Sequence, residues 1–354
     1  MLRSTWSGTP FSLVRGFQDL GLRVATASCA SDGLGWRLAA LGWRRATLRG
    51  STALFGSFVW PRAQRSRARA LRLRTQYPEA WFLHTDTMWL PHRTLGARDA
   101  LFRDDTFDNL AAAFEVPRQL RDHIDHLHQQ IYTSVGHIFT TSAACRDDLV
   151  ERYGVTPSQV TVVGTGTGIT PTAEPPPRDY GSGETLFVGK VRFEQKGGPL
   201  LLEAFRLAHE VNPRLTLTLV APNGINVDHP AVTVLHDLPW PELQCLYRRA
   251  ALFAMPAAYE PWGLVYLEAQ QSATPVLGLR RKALPELTDN GLTAFLCDDE
   301  SPGAIATALL DAHGDPRRLE RLGERAHAFS AGFTWRRTVR RIASTLGLNQ
   351  RPVT

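Results

Sequence analysis

The stretch that most constrains this chain runs from Leu252 to Gln271, LFAMPAAYEPWGLVYLEAQQ. Leu252-Phe-Ala-Met is a short apolar run of the kind that fills a buried parallel strand. Pro256 and Pro261 interrupt it, and Gly263-Leu-Val-Tyr-Leu-Glu-Ala-Gln-Gln predicts a helix. Pro261 sits where a helix start tolerates proline, and Gly263 allows a ligand to come close to the backbone. The first-turn N–H groups of such a helix have no partner within it and can hold an anion.

Two carboxylates bracket that anion site. Glu260 precedes the helix and Glu268 lies one to two turns inside it, so at ~1.5 Å rise per residue they are separated by roughly 8–9 Å along the axis. That span suits a sugar ring at one end, a diphosphate in the middle and a ribose at the other. Each carboxylate accepts several hydrogen bonds and donates none, which matches sugar hydroxyls. The plainer alternative makes Glu260 a helix-cap carboxylate and Glu268 a solvated helix residue.

The second half of the chain repeats strand–helix units. Strands are expected at Thr185–Val188, Leu215–Val220, Val232–Leu235 and Pro275–Leu279. Helices are expected from Pro199 to Ala208, Pro241 to Ala250, Pro302 to Asp311 and Pro316 to Phe329. Alternation of this kind implies a mostly parallel sheet covered on both faces. Between the first strand and its helix lies Gly189-Lys190-Val-Arg-Phe-Glu-Gln-Lys196-Gly197-Gly198. Two lysines on a glycine-flanked loop at a strand's carboxyl end can neutralise a diphosphate without a metal, unless the loop is simply a solvated basic turn. No Asp-x-Asp pair, the usual arrangement for a metal-dependent nucleotide-sugar site, occurs in the chain.

The first half is less regular. Phe11, Val14, Phe17 and Leu20 have helical spacing closed by Gly21, and Leu22–Ala27 reads as a strand. A glycine turn, helix and strand normally follow a first strand in a doubly wound fold, but only six residues precede Ser7, so that strand is expected to be missing. Ala80–His84 and Ala100–Arg103 read as strands, and Asp104-Asp105-Thr106-Phe107-Asp108 follows the second, at the edge where such folds bind ligands. A helix is expected from Pro117 to about Gly136, a strand at Ile138–Ser142, a helix over Ala143–Tyr153 and a strand at Gln159–Val163. His123, His126 and His128 suggest a metal, but only His123 and His126 share a helix face, so surface histidines are the expectation. Gly164-Thr-Gly-Thr-Gly168 fails as a dinucleotide fingerprint, because position 169 is Ile and prolines follow; residues 166–178 read as a linker.

Composition narrows the class further. At 354 residues and 43% hydrophobic content the chain is long enough for two domains. No apolar run reaches the ~18 residues of a membrane span. Cys29, Cys145, Cys245 and Cys297 are scattered, which indicates neither zinc nor a disulfide framework, and a cytoplasmic location is expected. Of 40 basic residues 37 are arginine, and the three lysines are Lys190, Lys196 and Lys282. From Gly33 to Pro78 there is no acid, while ten arginines between Arg37 and Arg74 are interleaved with Trp36, Trp43 and Trp60. Such a stretch fits peripheral contact with the anionic inner face of a membrane, a polyanionic acceptor, or a solvated basic face. No recognition module for nucleic acid accompanies it.

Taken in combination, Gly-Lys190 with Lys196-Gly, Glu260-Pro-Trp-Gly with Glu268-Ala, Thr274-Pro-Val, Leu284-Pro-Glu286-Leu and Asn290-Gly resemble the retaining glycosyltransferases of family four. The resemblance covers roughly Ile138 to Phe333, with a fainter match at Ser7–Val24. It implies an α/β chain with the GT-B fold, two Rossmann-like domains facing across a cleft. The expected division is an acceptor-side domain over residues 1–165, rejoined by a last helix within 334–354, and a donor domain over 179–333.

The resemblance also implies site roles. Lys190 and Lys196, with Gly189, resemble the elements that hold the donor diphosphate. Glu260 resembles the glutamate at the donor sugar and Glu268 the one binding ribose hydroxyls. The backbone N–H groups of Trp262, Gly263 and Leu264 would meet sugar and phosphates, and Gly8 resembles the glycine facing the diphosphate from the first domain. Two departures stand out: Lys282-Ala283 replaces the usual Gly-Gly, and Ala273 the glycine before Thr274-Pro. Lys282 is therefore counted with the donor-binding residues.

The expected activity is transfer of a hexose from a nucleotide diphosphate sugar to an acceptor hydroxyl, on a cell-envelope glycan or a lipid-linked acceptor, with retention and without a metal or other cofactor. The alternative is a non-catalytic nucleotide-sugar-binding relative with a truncated first domain. A nucleotide-binding oxidoreductase would need the glycine fingerprint that this chain lacks.

Overall fold

The computed structural model describes residues 8–26, 68–85, 87, 90, 94–113, 116–169 and 174–348. Its contacts divide the chain into two compact units, Met1–Gly164 with Trp335–Thr354, and Thr165–Thr334.

The second unit is built on a six-stranded, all-parallel sheet of β5 (Glu184–Val188), β6 (Thr216–Val220), β7 (Val232–Leu235), β8 (Leu252–Ala254), β9 (Val276–Leu279) and β10 (Ala294–Cys297). The spatial order is β10-β9-β8-β5-β6-β7. The chain winds outward from β5 in one direction, then returns and winds outward from β8 in the other. The order therefore reverses between β5 and β8, and the carboxyl ends of strands at such a reversal are where open parallel sheets bind ligands in a crevice.

Most strand positions are buried because helices cover the sheet. Leu186, Phe187, Leu217, Leu219, Phe253 and Leu277 are buried in one core. Helix α5 (Gly198–Val211) buries Leu201, Ala204, Phe205 and Ala208, the spacing of one helical stripe, and packs on α9 (Pro302–Gly314). The remaining helices are α6 (Trp240–Arg249), α7 (Leu264–Gln271), α8 (Leu284–Leu287) and α10 (Pro316–Ser330).

Strand β10 and helix α8 were not expected from the pattern. The apolar run of β10 is only four residues long between Gly291 and an acidic turn, too short to separate from a loop by periodicity.

The first unit holds a parallel sheet in the order β1 (Phe82–His84), β2 (Asp99–Arg103), β3 (His137–Thr140), β4 (Val160–Val162). Its described helices with defined bounds are α1 (Thr9–Asp19), α2 (Phe107–Ala113), α3 (Arg118–Ser134), α4 (Ala143–Glu151) and α11 (Trp335–Thr345). Ser142 caps α4, its Oγ accepting from the Cys145 N–H at 3.1 Å. The last helix packs on α1. A Cβ on Gly16 would lie 2.8 Å from Val339 Cγ1, so the small residue sets how closely the two helices approach. Thr338, Val339, Ile342 and Ala343 are buried while Arg336, Arg340 and Arg341 face outward, which accounts for the pattern of this helix.

Four expectations need correction or placement. Described residues 22–26 enter no strand, so the Leu22–Ala27 reading does not hold over them. Residues 68–76, expected only as part of a basic run, are helical, as is α2. The missing-strand reading falls on residues 1–7 and most of the Gly33–Pro78 stretch on 33–67, all outside the described residues. His128 is not a surface histidine. It is buried, stacks on Phe107, and shares hydrogen bonds with Thr87 Oγ1 at 3.0 Å and the Ile124 carbonyl at 2.9 Å. Burial outweighs the Ile124 bond and pulls its imidazole down to about 4, so it serves as a neutral core group.

Candidate functional site

The crevice between β5 and β8 draws its side chains from two loops. The first follows Val188 and is shaped by glycines. A Cβ on Gly197, whose φ is +78°, would lie 2.0 Å from the Pro256 carbonyl oxygen, and one on Gly198 would meet the Phe193 ring at 2.3 Å. Glycine at 197 therefore lets the loop lie against the exit of β8, and glycine at 198 lets it fold over its own Phe193 ring. The Tyr259 N–H donates to the Gln195 carbonyl at 3.1 Å, which ties the two loops together.

This packing delivers Lys196 to Glu260. The ammonium is 3.1 Å from Glu260 Oε2, and both side chains are mostly buried, at 15% and 18% exposure. The N-cap of α7 is Gly263 rather than Glu260, which goes against the helix-cap alternative. Lys190 is exposed, and its Nζ donates to the Leu238 carbonyl at 2.8 Å. Gly263 has φ +86°, and a Cβ there would meet the Tyr266 ring at 2.3 Å, so the tight entry into α7 requires glycine. Trp262 and Gly263 are buried and Leu264 partly so; the Trp262 indole N–H donates to Thr165 Oγ1 at 2.6 Å. That bond fixes the ring and leaves only the backbone for the role expected of Trp262.

Glu268 is likewise not the solvated helix residue of the plainer alternative. It is buried, as are all of Tyr266 to Gln271. The Tyr247 hydroxyl on α6 donates to Glu268 Oε2 at 2.9 Å. Burial pushes the carboxyl up to about 7, against the opposing effects of the Tyr247 hydroxyl and the Lys196 and Lys190 ammonium charges. Both lysines thus act electrostatically on the same carboxyl, and Lys196 also pairs with the second. Lys190, Lys196, Glu260 and Glu268 are thus linked, Lys196 to Glu260 by an ion pair and both lysines to Glu268 by their charge.

Gly189 begins the lysine loop, where a Cβ would meet the Phe187 ring at 2.6 Å. Lys282 and Ala273 keep left-handed backbone, with φ +52° and +60°. The two departures from glycine thus occupy the conformation glycine favours. Gly8 belongs to the first unit, where it precedes α1 with φ +73°. Tyr247 was not singled out from the sequence. Its signal was available, since it continues the buried phase of Leu243 and Leu246, and a buried tyrosine hydroxyl needs a partner.

The acids after β2 behave differently. Asp105 Oδ1 accepts from the Thr106 N–H and from Asn109 Nδ2, while Asp108 is held by Arg121 and Arg152. Among the described residues no group of His, Cys, Asp and Glu is arranged to hold a metal ion, and no helix is long and apolar enough to cross a membrane.

Residues 183–315 match the family described as glycosyl transferases group 1. A D-inositol 3-phosphate glycosyltransferase from Corynebacterium kroppenstedtii is 29% identical over 244 residues, 61% of this chain and 54% of the relative. A glycogen synthase from Mycobacterium tuberculosis is 29% identical over 212 residues, 56% of this chain and 50% of the relative. The chain spans about half the length of the curated relatives it matches. Among solved structures, sucrose-phosphate synthase from Thermosynechococcus elongatus aligns with a TM-score of 0.65 at 18% identity, covering 83% of this chain and 78% of that one. The match to a group 1 glycosyltransferase domain falls within the second unit, and the fold is of the GT-B type.

Proposed function

We propose that the protein is a retaining glycosyltransferase that moves a hexose from a nucleoside diphosphate sugar to an acceptor hydroxyl. The observation that carries this reading is the cluster of Lys190, Lys196, Glu260 and Glu268 where the strand order reverses, beside the start of a buried helix. Charge on the departing diphosphate is met by the two ammonium groups and by the N–H groups at Gly263 and Leu264. Glu260 orients the sugar and balances positive charge on its ring, and Glu268 accepts from ribose hydroxyls.

The bond between the anomeric carbon and the diphosphate oxygen breaks as the acceptor oxygen bonds to the same face. The acceptor's proton passes to the departing phosphate oxygen. No protein nucleophile and no metal is required in this scheme. Relatives whose names specify sugar transfer support the reaction class, and the arginine- and tryptophan-rich stretch between Gly33 and Pro78 supports an anionic or membrane-associated acceptor.

Each electrostatic contact of this kind is worth ~3–4 kcal/mol in a transition state. Lys196→Ala and Glu260→Ala are each expected to lower turnover by about a hundredfold or more with the fold intact, read as nucleoside diphosphate release across UDP-, GDP- and ADP-sugars. Wild-type rates in both variants refute the assignment.

A further inference from the structure

In the structure both cations of the site already have acceptors. The Lys196 ammonium is 3.1 Å from Glu260 Oε2, and Lys190 donates to the Leu238 carbonyl at 2.8 Å. A diphosphate that takes the Lys196 ammonium must draw it away from a carboxylate that is 18% exposed and has little water to replace it. We propose that the Lys196–Glu260 ion pair discriminates between the intact sugar donor and the nucleoside diphosphate product, through an exchange of partners that only the sugar-bearing ligand completes. This rests on the donor-site reading above.

The exchange follows from what each ligand offers. A sugar nucleotide brings phosphate oxygens for Lys196 and sugar hydroxyls that donate to the vacated Glu260, so both halves of the pair are satisfied. The nucleoside diphosphate brings only the phosphate. It takes Lys196 and leaves Glu260 without a donor. Its terminal phosphate also loses a second proton near roughly pH 6, which places more negative charge beside that carboxylate. The unpaired carboxylate and the repulsion both weaken product binding. After transfer, re-formation of the ion pair returns Lys196 to Glu260 and displaces the diphosphate.

Isothermal titration with UDP, GDP and ADP tests this. The diphosphate that binds the wild-type chain is expected to bind Glu260→Gln about five- to tenfold more tightly, because the neutral amide holds Lys196 less strongly and does not repel phosphate. The matching sugar nucleotide is expected to gain no affinity in the same variant. Glu260→Ala, which removes the side chain altogether, is expected to shift diphosphate affinity in the same direction, and thermal denaturation of each variant checks the fold. Unchanged or weaker diphosphate binding in both folded variants overturns the exchange while leaving the donor site standing. If no diphosphate binds the wild-type chain, the donor-site reading falls and the exchange falls with it.

Discussion

Both units present acidic and basic groups at the carboxyl ends of parallel strands, yet the two clusters are put together differently. After β2, Asp108 is clasped by Arg121 and Arg152 at 2.7 Å each, and its own N–H donates to the Tyr153 hydroxyl at 3.1 Å. Asp105 accepts from Thr106 and Asn109 within its own turn. These bonds join α2 to α3 and to the residues just after α4 and use the carboxylates as structural fasteners. After β5 and β8, Glu260 has one cation at 3.1 Å, and Glu268 accepts from Tyr247 at 2.9 Å. A carboxylate has about four lone-pair sites, so both retain capacity for a ligand's hydroxyls. Acids at a strand's carboxyl end mark a candidate site, and the bonds they already make separate fasteners from ligand groups.

The comparison can be broken most sharply at Gly197. Gly197→Ala places a Cβ 2.0 Å from the Pro256 carbonyl oxygen on backbone with φ +78°. It is expected to cost at least about 3 kcal/mol in chemical denaturation, or to displace the loop and abolish nucleotide binding. Stability and nucleotide affinity both at wild-type level would show that the loop does not depend on this approach.

Glu268 gives a smaller effect with a defined pH window. Its folded value of about 7 lies above the ordinary 4.5, so between those values the folded chain binds more protons than the unfolded one. Its contribution therefore makes stability fall as pH rises from about 4.5 to 7. Glu268→Gln, neutral throughout, is expected to match the wild type near pH 5 and to exceed it by up to about 2–3 kcal/mol near pH 8. Denaturation at the two pH values checks the sign.

Asp108→Asn should be smallest. Because Arg121 and Arg152 are 33% and 46% exposed, water screens part of the loss, and about 1–2 kcal/mol of stability is expected to disappear. Nucleotide affinity should not change. A loss of affinity without a loss of stability would instead make Asp108 a ligand group and erase the contrast.

Much of the second unit was legible in the residues. Strands β5, β6, β7, β8 and β9 and helices α5, α6, α7, α9 and α10 fall within a few residues of the pattern-based expectation, because long periodic segments have one way to bury their apolar face. Lys190, Lys196, Glu260 and Glu268 were named from spacing and resemblance. Their pairing was not, since a loop's path depends on contacts such as Gly197 against Pro256 that lie far apart in sequence. His128 misled for the same reason. One turn of helix places it on a different face from His123 and His126, and only the partners Phe107 and Thr87 make that face the interior.

The residues alone determined the alternation of buried strands and covering helices, and with it a parallel α/β architecture, since periodicity is local and each segment carries its own. Tertiary structure alone decided which strands adjoin, and so where the order reverses and which loops share a crevice. It also decided that Glu260 meets Lys196 and that Glu268 is buried with Tyr247. Those outcomes depend on distances across the fold and on exclusion of water, and neither is a property of any one segment.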